Sequence, residues 1–399
     1  MAKPVTAPPK ALAGRVPFYR HDLGEPELAM LREVLAQPIL TTGAYTERVE
    51  RRLAELLGAR HALCLSSCTG ALHLSLLALG IGPGDEVITT PLTFVATATA
   101  ILEAGARPVF ADVEPGSGNL DPGAVAAAIT PRTKAIMPVH LYGLMCDMRA
   151  LRRIADRHDL ALIEDAAHCL EGLRDGIRPG QLAATACFSF YATKNLTCGE
   201  GGALVTDDTA LYERLRLLRL HGVTKTADER HREGYTHWDM ALLGWKYNMS
   251  NIEAAILLPQ FERLAGKLAQ RDELARRYVD LLAGLPGVRV PDQLAGERCV
   301  HAHHIFPVLI ERLPRDAVLA GLLQRDIEVV INYRPVHLLQ YFRQTFGHRP
   351  GEFPVAEQLG NALISLPFYP GMQLEHVDLV VARLAETLHA VASAMPARS

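Results

Sequence analysis

Between Arg60 and Thr206, short β-branched and apolar runs alternate with stretches of helical periodicity. HALCLSS precedes TGALHLSLLALG, DEVITT precedes TFVATATAILEAG, RPVFADV precedes DPGAVAAAI, and TKAIMPVH precedes DMRALRRIADRHD; LALIEDA, ACFSFY and GALVT follow. Strands that are apolar throughout, separated by helices, predict an α/β fold with a largely parallel sheet sandwiched by helices. Asp121 followed by Pro122 reads as an N-cap and first-turn proline, and Gly80 and Gly105 stand where helices need a left-handed end. After GALVT the pattern predicts a helix over 209–220, a polar loop over 225–237 and one long linking helix over 250–285. Beyond Gly287 an alternating strand (300–310), a helix (315–324), a strand (327–333), a loop and two final helices predict a smaller α+β domain. The chain divides accordingly into an N-terminal arm (1–40), a large α/β domain (41–250), and a linking helix with a small C-terminal domain (251–399).

Composition narrows the function classes. A chain of 399 residues that is 49% hydrophobic can bury a large core, and 41 basic against 44 acidic residues leave no charge excess to recruit a polyanion or an anionic membrane. The seven cysteines lie in apolar contexts without CxxC spacing, which predicts reduced core thiols and a cytoplasmic location. The first twenty residues carry four prolines and no apolar leader, and no 18-residue apolar run occurs, so a loose arm is expected and a signal peptide or membrane span is not.

The candidate chemistry sits at strand ends. Lys194, in SFYATKN (189–195), follows an apolar strand and precedes the glycines of GEGG (199–202), a setting that predicts a confined amine with a lowered pKa. Glu164 and Asp165 close the strand LALIED at the edge where ligands gather in open α/β sheets. Strand alternation lets only one of them face a site, and Asp165 is the better candidate. An amine able to form an imine with an aldehyde, and a carboxylate able to keep a pyridine nitrogen protonated, together suggest pyridoxal 5'-phosphate (PLP). The segment Ser66 to Gly70, where a strand gives way to a helix, suits a phosphate, although its hydroxyls serve equally as a helix cap. His168 reaches a cofactor oxygen or fills a polar pocket, and Phe94 stacks on a flat ring or belongs to the core. In HAHH (301–304), alternation along the expected strand sends the histidines to both faces and leaves no metal set.

In their order and separations, SSCTGALHLSL (66–76), PLTFVATATA (91–100), IEDAAH (163–168), FSFYATKNLTCGEGG (188–202) and WKYNMSNIEAAIL (245–257) resemble the DegT/DnrJ/EryC1/StrS family of PLP-dependent sugar aminotransferases. The likeness runs from ILTTGAYTERVE (39–50) to SLPFYPGM (365–372), and within the family it leans toward enzymes that aminate nucleotide-linked 4-keto sugars, including 4-amino-4-deoxyarabinose synthesis. The resemblance implies a fold type I homodimer with active sites at the subunit interface, in which Lys194 holds PLP, Asp165 pairs with the pyridine nitrogen and His168 lies near the phenolic oxygen. It further implies Thr69, Gly70 and Ser189 on the phosphate, Phe94 on the ring, and Asn248 reaching the phosphate of the neighbouring subunit. It also implies ping-pong transfer from L-glutamate or L-glutamine to a keto sugar. Cys68 and Tyr191 depart from the family's usual small residue and histidine. An aminotransferase acting on a cyclitol ketone stays open. A sugar dehydratase, which typically has histidine at the lysine position, is disfavoured by Lys194, and a silent PLP-binding regulator by the intact lysine and aspartate. A nicotinamide protein is disfavoured because no G-x-G-x-x-G bridges the first strand and helix.

Overall fold

A computed structural model describes residues 15–225, 227–233, 237–292 and 298–395. The larger sheet contains β1 (His61–Leu65), β2 (Glu86–Thr89), β3 (Arg107–Phe110), β4 (Thr133–Met137), β5 (Ala161–Asp165), β6 (Thr185–Ser189) and β7 (Gly202–Thr206), in the order β1-β7-β6-β5-β4-β2-β3. The β6-β5-β4-β2-β3 portion is parallel, while β7 runs antiparallel to both β6 and β1. Helices pack on both faces, so β2 and β7 are buried at every position, including Glu86 and Thr89 at the two ends of β2. Asp121 caps its helix by accepting from the Gly123 N–H, and Gly80 and Gly105 adopt φ of 76° and 82°. Six cysteines are buried, Cys299 is half-buried, and all seven are free thiols.

The smaller sheet is antiparallel: β8 (Val288–Arg289), β9 (Phe306–Ile310) and β10 (Leu363–Leu366), ordered β10-β9-β8. Leu274, Tyr278, Val318, Val380 and Leu384 pack its core from three helices.

Several expectations are corrected. Of the first twenty residues, expected as a loose arm, the described ones are anchored: Val16 is buried and bridged to Ile327. Residues 1–14 lie outside the described residues. The single helix expected over 250–285 is two, Asn251–Phe261 and Leu264–Leu282. Pro259 removes one backbone donor near the end of the first, and Gln260 Nε2 donates to the Ile256 and Thr197 carbonyls at 2.7 Å each, tying that helix end to the Lys194 loop.

The strand expected over 300–310 begins only at Phe306. The Ala302 and His304 N–H groups donate to the Gly143 and Tyr142 carbonyls, so this backbone serves a turn rather than a ladder. Residues 327–333 contribute only isolated bridges, β10 was not foreseen, and three helices rather than two follow Tyr333: Gln340–Phe346, Pro354–Ala362 and Leu374–Ala394. The loop over 225–237 contains a short helix, Ala227–Glu233, and residues 226 and 234–236 lie outside the described residues.

Candidate active site

A cleft of about 680 Å³ opens at the carboxyl edge of the large sheet. Its first wall is the N-terminus of the helix Cys68–Ala78, where Ser67 caps by accepting from the Gly70 N–H at 3.0 Å. The helix dipole and the first-turn amides of Cys68 and Thr69, which lack intrahelical acceptors, make that wall electropositive. Thr69 and, across the cleft, Ser189 add hydroxyls. Gly70 does not line the cleft; a Cβ there would stand 3.2 Å from the Tyr247 ring, so its bareness serves packing.

The next wall is the end of β5. Strand alternation turns Asp165 into the cleft and Glu164 away, to His140 Nε2 at 2.7 Å. Asp165 Oδ2 accepts from the Thr97 hydroxyl at 2.8 Å and Oδ1 from the Ala167 N–H at 3.2 Å. Burial pushes the Asp165 carboxyl above its ordinary value, against the pull of those two donors and of Lys194. Phe94, 58% exposed, presents its ring at the mouth with Tyr333 6.1 Å away, centroid to centroid.

Lys194 closes the floor. Burial lowers its pKa to about 8, opposed by Cys68 and Asp165, so the neutral amine is populated near physiological pH. Its Nζ lies 3.2 Å from His304 Nε2. His168 packs against His304 at 4.4 Å; its Nδ1 accepts from the Tyr142 N–H, which leaves the proton on Nε2, 3.2 Å from the Tyr333 hydroxyl. Burial, followed by the charge of Lys194, holds both imidazoles well below their usual pKa and hence neutral.

Asn248 stands apart. Its Nδ2 donates to the Thr42 hydroxyl at 2.7 Å and its Oδ1 accepts from Lys246 Nζ at 2.6 Å, beside a second cavity of about 380 Å³ that Thr42 and Lys246 line.

Thr97 and His304 escaped the sequence reading as site residues. Thr97 sits one helical turn beyond Thr93 in the quoted PLTFVATATA motif, a signal that was available. His304 carried a signal only as part of HAHH, whose predicted strand geometry was wrong. His301 and His303 stack on each other at 4.3 Å, away from Lys194, and among the described residues no group of three His, Cys, Asp or Glu side chains is arranged to hold a metal.

The cleft fits PLP by its donor set. It offers an electropositive helix end with hydroxyls for a phosphate, a buried amine for an aldehyde and a buried carboxylate for a ring nitrogen. Two polar atoms in its wall, His304 Nδ1 and Asn332 Oδ1, are buried without hydrogen-bond partners. Such a cleft on a mostly parallel sheet with a small second sheet defines a PLP-dependent transferase of fold type I. The chain belongs to the DegT/DnrJ/EryC1/StrS aminotransferase family, whose pattern it matches over residues 21–385, and it is a PLP-dependent aminotransferase. It is 38% identical to the spore coat polysaccharide biosynthesis protein SpsC of Bacillus subtilis (strain 168) over 372 residues, which are 92% of this chain and 95% of SpsC. Among solved structures it resembles DesV of S. venezuelae, with 36% identity, a TM-score of 0.86, and 93% of this chain and 98% of DesV covered. The PLP form of Spr1654 from Streptococcus pneumoniae is similar at 28% identity and a TM-score of 0.88, covering 94% and 99% of the two chains.

Proposed function

We propose that this protein moves an amino group from L-glutamate or L-glutamine to the keto group of a nucleotide-linked keto sugar, by a ping-pong sequence of two half-reactions. One observation carries the reading: a buried lysine amine, lowered to about pKa 8, shares the floor of a cleft with a buried aspartate. SpsC, a polysaccharide biosynthesis protein, supports a sugar as the acceptor.

Bound PLP supplies an aldehyde that captures amines and a ring that draws electrons from the bond being broken. In this reading Lys194 would anchor the cofactor through its ε-amine and, when free of it, would take up and return the proton of the donor's α-carbon at Nζ. Asp165 holds a proton on the ring nitrogen, and Thr97 keeps that carboxylate ionised. Thr69, Ser189 and the first-turn amides hold the phosphate, with Gly70 permitting Tyr247 to pack behind them. Phe94 covers one ring face, and His168, neutral and donating through Nε2, serves the phenolic oxygen. Asn248, which does not line this cleft, serves the phosphate of a second subunit, so the working unit is a homodimer, located in the cytoplasm.

Borohydride treatment of the PLP-saturated enzyme, followed by peptide mass spectrometry, should place the label on Lys194. Lys194→Ala should lose both the label and turnover; a variant with wild-type turnover would contradict the reading. With the cofactor loaded in its amino form, a panel of nucleotide-linked keto sugars and free cyclitol ketones should return the cofactor spectrum only with the former. A response to cyclitols alone would move the acceptor to that class.

A further inference from the structure

Resting on the reading of Lys194 as the cofactor anchor, we propose that His304 is the positioning residue of Lys194, holding the ε-amine on the cleft floor while it is free of the cofactor. The argument begins with the histidine's surroundings. His304 is 6% exposed, its Nε2 lies 3.2 Å from Lys194 Nζ, and its Nδ1 has no hydrogen-bond partner. A buried imidazole normally has both ring nitrogens partnered. Here one nitrogen is left unmet while the other is aimed at the lysine, so the placement serves that single contact.

The backbone enforces it. Tyr142, at φ 60°, accepts from the His304 N–H at 3.0 Å through its carbonyl and donates to His168 Nδ1 through its N–H, so one turn fixes both imidazoles. The next residue, Gly143, has φ 107°, and a Cβ there would stand 2.8 Å from the His303 nitrogen. Side-chain bulk is thereby excluded where the 301–304 segment must lie against the turn.

The contact answers a specific need. A lysine freed from its cofactor has four rotatable bonds and would sample many directions. One hydrogen bond to a fixed ring nitrogen restricts the amine, and misplacement by about 1 Å can cost on the order of 100-fold in rate. The other groups that face the amine, Asp165 and Cys68, influence its charge electrostatically; His168 and Arg271 act in the same way on His304 itself.

The test exploits the reach of two amides. A glutamine amide extends to where Nε2 lies, and an asparagine amide extends only to the position of Nδ1. His304→Gln should keep the donor half-reaction within about threefold of wild type, and His304→Asn should slow it by on the order of 100-fold. A second readout uses the cofactor-free chain: competitive acetylation of Lys194 across the neutral to alkaline range, read by mass spectrometry. Wild type should label with a midpoint near pH 8. The glutamine variant should follow it, while the shorter asparagine admits water, relieves the burial and moves the midpoint up by about one unit. Equal behaviour of the two variants in both readouts overturns the proposal, as does a folded glutamine variant that loses 100-fold if the asparagine variant does not fold. The acetylation contrast reads Lys194 and His304 without cofactor, so it stands apart from the Lys194→Ala result that tests the function itself.

Discussion

Thr97→Val is the substitution whose consequence can be worked furthest from the structure. Valine matches threonine in shape, so the helix Ala96–Glu103 keeps its packing and only the hydroxyl is lost. That hydroxyl donates to Asp165 Oδ2 at 2.8 Å and receives the Thr93 hydroxyl at 2.9 Å. A hydrogen bond to a buried charged group contributes about 1.5–3 kcal/mol, and the neutral bond to Thr93 about 0.5–1.5 kcal/mol. Loss of the charged bond raises the Asp165 pKa further, because a donor that favours the ionised form is gone. The direction of the pH dependence follows. Burial already holds the folded-state pKa above the ordinary 3.8, so the carboxyl costs stability that is absent below 3.8, grows as pH rises from 3.8 to the folded value and is complete above it. Removing its donor enlarges that cost. Thr97→Val should therefore be less stable than wild type at neutral pH by about 1.5–3 kcal/mol plus the Thr93 contribution, and the gap should narrow toward that smaller contribution as pH falls through the variant's Asp165 pKa. Chemical denaturation of the cofactor-free proteins over a pH series measures the gap. A gap that does not change with pH, or none at neutral pH, would refute the assignment of Thr97 as the support of an ionised Asp165.

Two further outcomes are expected. The rate at which the cofactor-free protein captures PLP on Lys194 should rise about tenfold per pH unit below 8 and level off above it, because only the neutral amine attacks and burial sets its pKa near that value; stopped-flow absorbance reads the inflection, and one at an ordinary lysine value would be inconsistent. Glu164→Gln should cost about 1–3 kcal/mol of stability with undiminished activity per folded molecule. Glu164 Oε2 receives His140 Nε2 and Oε1 receives the Gly180 N–H; although the carboxylate draws His140 toward its protonated form, the ring's Nδ1 lone pair is committed to the Cys146 N–H, so an amide must leave one donor unmet on the face of β5 turned from the cleft. Denaturation melts and a half-reaction rate normalised to folded protein test both parts.

What the sequence disclosed depended on whether local pattern or tertiary contact decided the outcome. Apolar-throughout strands, the Asp121 cap and the left-handed Gly80 and Gly105 are local, and all appear as read. The placement of Asp165 and Lys194 in one cleft was legible because both follow strands that end at the same sheet edge. The 300–310 strand failed where tertiary hydrogen bonds to Tyr142 and Gly143 outbid a ladder, and no periodicity encodes a partner 160 residues away in sequence. The same failure hid His304, because alternation on a strand that does not exist assigned it the wrong surroundings. The split of the long helix was marked by Pro259, but the buried Gln260 that ties the first half to Thr197 is a tertiary bond with no sequence period.

One physical cause, burial, acts on both key groups of the cleft, and the donors aimed at them separate their protonation. Burial penalises both the ammonium of Lys194 and the carboxylate of Asp165, yet the proposed chemistry needs the first neutral and the second ionised. Lys194 is left to burial: among the described residues its amine bonds to a neutral imidazole, which does not compensate a charge. Asp165 is compensated in part, by the Thr97 hydroxyl and the Ala167 N–H, which bond its two oxygens. The difference between the residues lies in the donors aimed at them, so the protonation pattern is a property of Thr97, Ala167 and His304 as much as of the two groups that carry it.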